Sequence, residues 1–102
     1  MRPRLAVPID DYVLDVLLRD LVGHDQRPAA FLVYLHLFGQ AVRQDWVPVA
    51  ASLRDVAEAT GLSKSAVQAA FLVLLRRQLV RTERAHRTAT PRHTLLRPWL
   101  GR

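Results

Sequence analysis

Cysteine is absent from this chain of 102 residues. Disulfide frameworks, thiolate metal sites and thiol nucleophiles are therefore excluded, and the composition fits a reducing compartment. Long apolar runs are lacking too. The longest, residues 29–35 and 69–75, fall far short of the ~20 residues that span a bilayer. The start, Met1-Arg2-Pro3-Arg4, is positively charged, but Pro8 and Asp10-Asp11 follow at once, without the apolar stretch of a signal peptide. A cytoplasmic protein with no membrane partner is the expectation. Lysine occurs once, against fourteen arginines, a choice that a high-GC coding bias explains.

Signs of catalysis are equally scarce. His24, His36, His86 and His93 show no i, i+4 pairing and have no neighbouring cysteine, so no metal site is expected. Gly61-Leu62-Ser63-Lys64-Ser65 lacks the closing glycine of a nucleophile elbow, and neither a phosphate loop nor a dinucleotide fingerprint is present. Asp10, Asp11 and Asp15 read as a solvated face matched to a helix dipole. No enzyme and no cofactor are expected.

What is present is a chain half hydrophobic, long enough to bury roughly 60–68% of its unfolded surface in one core. Its charge is segregated. Residues 1–50 carry five arginines against six aspartates, a net −1, whereas residues 51–102 carry ten cations against three acids, a net +7. Coding bias accounts for arginine in place of lysine but not for this division. A polyanion-binding surface on a neutral scaffold has such a distribution, because neutralising phosphates needs clustered cations.

The periodicity gives the elements. Ile9, Val13, Val16 and Leu17 share one helical face, and Asp11, Asp15 and Arg19 another, which predicts an N-terminal helix over residues 8–22 that Gly23 stops. Pro28 opens a central helix, 28–44, apolar nearly all round except for His36, Gln40 and Arg43. Trp46-Val47-Pro48-Val49 reads as a short edge strand. Ser52 is a candidate N-cap for a helix over 53–60, ended by Gly61, and Ser63 for a longer one over 64–77. A hairpin over 79–97 follows, with strands at 79–84 and 92–97. No repeat, low-complexity tract or dividing linker interrupts the chain, so a single domain over 1–102 is expected.

Residues 53–70 carry the functional signal. A helix-turn-helix needs a small residue where its helices cross, a glycine able to take positive φ, an apolar plug after it and a β-branched core residue in the second helix. Ala57, Gly61, Leu62 and Val67 stand in those places in order. With Ala70, Phe71 and Leu74 continuing the apolar face and Leu79-Val80 entering a basic hairpin, residues 28–98 resemble the bacterial winged helix-turn-helix family of transcriptional regulators and replication initiators. The resemblance implies a mainly α (α+β) fold: a three-helix core, an additional N-terminal helix and a small antiparallel β-wing. Two positions depart from the family's pattern. Gln78 stands where a glycine is usual, and Leu72, Val73 and Leu75 replace charged residues.

By that resemblance the long helix enters the major groove of double-stranded DNA. Ser65 and Gln68 face base edges, Ala69 offers contact to a thymine methyl, and Arg76 points away from the core. Lys64 and the helix starts at Ser52 and Ser63 meet phosphates, while Arg84, His86, Arg87 and Arg92 on the wing grip the flanking backbone or reach into a minor groove. Ser63 also reads simply as a cap, and Gln68 as a solvated polar residue. A homodimer through Leu14, Leu18 and Val22 is expected. Two alternatives stay open: a protein-interaction module with a partner at Leu72, Val73 and Leu75, and a replication or plasmid-maintenance role.

Overall fold

Proline fixes φ and needs no hydrogen bond to its missing N–H, so Pro28 starts the longest helix at the one turn where that costs nothing. The computed structural model describes residues 6–101; Arg2, Arg4 and Arg102, counted in the charge above, lie outside them. Helix α1 spans Pro28–Arg43, β1 Val49–Ala50, α2 Leu53–Thr60, α3 Lys64–Arg76, β2 Val80–Glu83 and β3 Arg92–Leu95, and a 3-10 turn covers Pro98–Leu100. The three strands form one antiparallel sheet in the order β1-β3-β2. Helices and a small sheet make an α+β fold. No helix among the described residues is long and apolar enough to cross a membrane.

Helix α1 is the central beam its composition predicts. Ala30, Val33, Tyr34, Leu37 and Phe38 are buried, and α1 touches the N-terminal helix, α2, α3, β1 and β3. Leu32 is the exception, with 45% of its surface exposed. The Tyr34 hydroxyl donates to the Leu96 carbonyl at 2.9 Å, which satisfies the only polar atom this side chain brings into the core.

The N-terminal helix departs from expectation. It covers residues 11–24 and closes i→i+5 hydrogen bonds over Val13–Leu17 and Arg19–His24. Its buried residues recur every four, Val13, Leu17 and Leu21, so Leu21 joins the core while Ile9 and Val16 are only half-buried. Gly23 lies within the last turn instead of stopping it. The left-handed residue that ends the helix is Gln26, with φ 55, and the Arg27 N–H closes onto the Leu21 carbonyl at 2.7 Å.

The strand expected at 46–49 is displaced as well. After α1, Asp45 and Trp46 take φ 55 and 67, and the Trp46 N–H reaches the Ala41 carbonyl at 2.7 Å. Backbone coiled this way cannot pair in a sheet. The indole instead meets Phe38 edge-on at 5.2 Å and lies 3.7 Å beneath the Arg97 guanidinium. Pairing begins only past Pro48, with Val49 opposite His93 and Ala50 opposite Arg92.

Candidate nucleic-acid interface

Local chemistry sets the α2–turn–α3 geometry. The Ser52 hydroxyl accepts the Asp55 N–H at 3.0 Å and the Asp55 carboxylate accepts the Ser52 N–H at 2.9 Å, a reciprocal cap that holds the Asp55 pKa below the ordinary carboxylate value. Gly61 takes φ 80, where a side chain would be strained. Ser63 caps α3 by accepting the Ala66 N–H at 3.1 Å. Both caps expected from the sequence are therefore formed. The Ser65 hydroxyl lies 3.2 Å from that of Ser63, so it is tied to the cap as well as exposed. Ala57 and Val67 are buried, and Leu62 packs half-buried against the core they belong to.

The pattern of α3 then divides its surface. Val67, Ala70, Phe71, Val73 and Leu74 are buried; Lys64, Ser65, Gln68, Ala69, Leu72 and Arg76 are exposed. Val73 must therefore be removed from the apolar surface that the sequence offers to a partner. It is a core residue at 4% exposure, whereas Leu72 and Leu75 are 61% and 40% exposed. Leu14, Leu18 and Val22 do form an exposed row on the N-terminal helix.

Strands β2 and β3 pair from Val80 opposite Leu95 to Glu83 opposite Arg92; β2 is shorter than expected at both ends, while β3 starts at Arg92 as expected and stops two residues early. Arg84, His86, Arg87 and Arg92 are exposed on this hairpin. The Arg84 guanidinium donates to the Arg87 carbonyl at 3.0 Å, which sets the direction of the side chain. Between the start of α2, one side of α3 and the hairpin lies a cleft of about 470 Å³. Ser52, Lys64 and Arg84 line it together, and so does Arg54, which the sequence did not single out. Among the described residues, no acidic one lines it. Gln68, Ala69 and Arg76 lie on α3 outside the cleft, and His86, Arg87 and Arg92 lie outside it on the hairpin.

Sequence reasoning also missed His93 at the base of this cleft. The residue is 4% exposed. Since a carbonyl can only accept, Nε2–H donates to the Ala51 carbonyl at 2.9 Å, and Nδ1 accepts from the Thr82 hydroxyl at 2.9 Å. Phe71 stacks on the ring at 4.5 Å. Burial pushes the imidazole pKa below its ordinary value, the Ala51 bond opposes this, and the Arg84 charge adds to it. His93 is thus a joint between the β1–α2 connection at Ala51, α3 and the hairpin. The sequence signal for it was the inward phase of β3, where Arg92 points out and His93 in.

The chain matches no known family model, no curated protein and no solved structure.

Proposed function

We propose that the protein is a winged helix-turn-helix regulator of bacterial transcription that binds double-stranded DNA in the cytoplasm. One observation carries this reading: cations from α2, α3 and the hairpin, Arg54, Lys64 and Arg84, line one cleft from which acidic side chains are missing. Such a surface is matched to a phosphate backbone. In this reading α3 is the recognition helix and residues 80–95 are the wing. Gln68 and Ser65 face base edges, Ala69 a thymine methyl, and Lys64 with the capped helix starts at Ser52 and Ser63 fixes the register on phosphates. Arg76, Arg84, His86, Arg87 and Arg92 extend the grip along the flanking backbone. A role in replication or plasmid maintenance uses the same element.

Two copies fit such a site. Leu14, Leu18 and Val22 form the exposed row through which they pair, on the half of the chain without excess positive charge. The protomer measures 36 × 35 × 29 Å, comparable to the ~34–36 Å between half-sites one helical turn apart. A monomer in sedimentation at micromolar concentration overturns the pairing.

The test is binding to a random duplex pool at two salt concentrations. The double variant Arg84→Ala, Arg87→Ala flattens the log–log salt slope by ~0.9 for each phosphate it no longer neutralises, whereas Gln68→Ala changes the selected sequence by ~1–3 kcal/mol of preference with little change of slope. Exposed Leu72 and Leu75 favour a second reading, a protein-interaction module. Failure of the wild-type chain to bind duplex at low salt decides for it.

A further inference from the structure

We propose that the cleft between α2, α3 and the hairpin is a binding site for a small amphipathic organic anion, an aromatic or aliphatic body carrying a carboxylate. The cleft, at about 470 Å³, falls within the ~300–1,000 Å³ of small-molecule sites, which combine an apolar lining with a few placed polar groups. Its lining is of both kinds. Phe71, Leu75 and Pro91 present apolar surface, and Arg54, Lys64 and Arg84 present positive charge. A phosphate backbone is served by the cations but gains nothing from the apolar part. A compact organic anion uses both, burying its body against Phe71 and Leu75 while its carboxylate meets the cations.

The cations also differ in what they have to give up. Arg54 is paired with Glu58 at 3.1 Å, and Arg84 donates through one nitrogen to the Arg87 carbonyl, leaving the rest of its fork free to bind an anion. None of the ion pairs among the described residues involves Lys64. His93 beneath them has both ring nitrogens occupied by Ala51 and Thr82. It therefore shapes the base without competing for the ligand.

One consequence rests on the DNA-binding reading: Lys64 and Arg84 cannot neutralise a bound carboxylate and a phosphate at the same time, so anion and duplex exclude one another. Occupation of the cleft is then the means by which a metabolite with these features releases the protein from DNA.

The experiment titrates the ¹⁵N-labelled full chain with 2-naphthoate and, separately, with the neutral 2-naphthylmethanol. The expected result is saturable amide shifts confined to the start of α2, to α3 and to the hairpin. Affinity falls about tenfold for the alcohol, and about tenfold for naphthoate on the double variant Lys64→Ala, Arg84→Ala, as removal of charge-assisted hydrogen bonds implies. Unshifted amides elsewhere show that the variant keeps its fold. Equal affinity for acid and alcohol overturns the proposal, as do shifts centred on Leu14, Leu18 and Val22 or no shift at millimolar concentration. A separate arm adds duplex. Displacement of naphthoate supports exclusion, and simultaneous binding overturns it. Cleft binding without any duplex binding ends the DNA reading and leaves the anion site standing.

Discussion

Gln78 closes α3 with φ 58. Its N–H bonds to the Leu75 carbonyl at 3.1 Å and the Leu79 N–H to the Leu74 carbonyl at 2.9 Å, the pairing that a glycine-terminated helix end makes. The residue that departs from the family's pattern thus keeps the geometry and bears the steric cost of a left-handed side chain. Gln78→Gly is expected to raise stability by about 0.5–1 kcal/mol, since relieved strain outweighs the added entropy of the unfolded chain; a higher urea midpoint at unchanged slope checks it. His93 gives a pH dependence. Its pKa is lowered by burial in the folded state and is 6.5 in the unfolded reference, so the unfolded chain takes up the proton first. This contribution is fully present above pH 6.5 and is lost as pH falls through that value towards the folded pKa. His36, lowered by burial and by Arg43, acts in the same direction. The urea midpoint is expected to drop as the pH is lowered below 6.5, and to drop less in His93→Gln, which has one titrating group fewer.

At the scale of elements, one joint holds the N-terminal helix to the end of α3. Arg77 grips Asp25 with two bonds, Nε to Oδ2 at 2.7 Å and Nη2 to Oδ1 at 2.8 Å, a planar fork that lysine cannot reproduce. Hydrogen bonds from Arg77 and then His24 hold the Asp25 pKa down to about 2 from 3.8. Stability from this pair is present above pH 3.8 and is lost as pH falls through about 2. Arg77→Ala is expected to reduce the dependence in that window, where the His24 bond to Asp25 and the Asp55 cap remain, and to speed amide exchange over residues 19–25, with exchange in α1 little changed. The α2–α3 turn was legible in sequence because its determinants are local: Ser52 with Asp55, Gly61 and Ser63 each act within four residues. The end of α1 was not. Trp46 carries a strand former's side chain, yet Phe38 and Arg97 hold it out of the sheet, and only tertiary neighbours make that choice. The burial of Val73 was hidden for a related reason, since a helix face shows which residues are apolar without showing how wide the covered arc is.

For the whole molecule, the last described turn is clasped to the first helix. Trp99 donates from Nε1 to Asp10 at 2.9 Å, Arg97 approaches the same carboxylate at 3.4 Å, and Tyr12 stacks on Trp99 at 4.7 Å. Trp99 also lies edge-on to Tyr34, at 6.5 Å, so the clasp closes over the core at the residue where α1 meets the C-terminal segment. Trp99→Ala is expected to cost about 2 kcal/mol, for a large side chain only partly buried, and to loosen residues 11–24 before the rest. Lower hydrogen-exchange protection of that segment alone, with α1 and α3 unchanged, is the measurement. Charge acts at this scale too. The second half's net +7 reads from sequence as a number, and folding turns part of it into a surface by setting Lys64 on α3 and Arg84 on the hairpin along one cleft.

Spacing, and chemistry a few residues long, settle the order of elements, the two capped helices with a glycine between them, the central apolar helix and the segregation of charge. Long-range packing instead makes Leu21 core, leaves Gly23 inside its helix, buries Val73, starts β1 at Val49 and ties His93 to Ala51, α3 and the hairpin beneath a cationic cleft. These depend on residues tens of positions apart competing for the same space and the same hydrogen bonds. Which partner a side chain finds is settled only when the whole core closes.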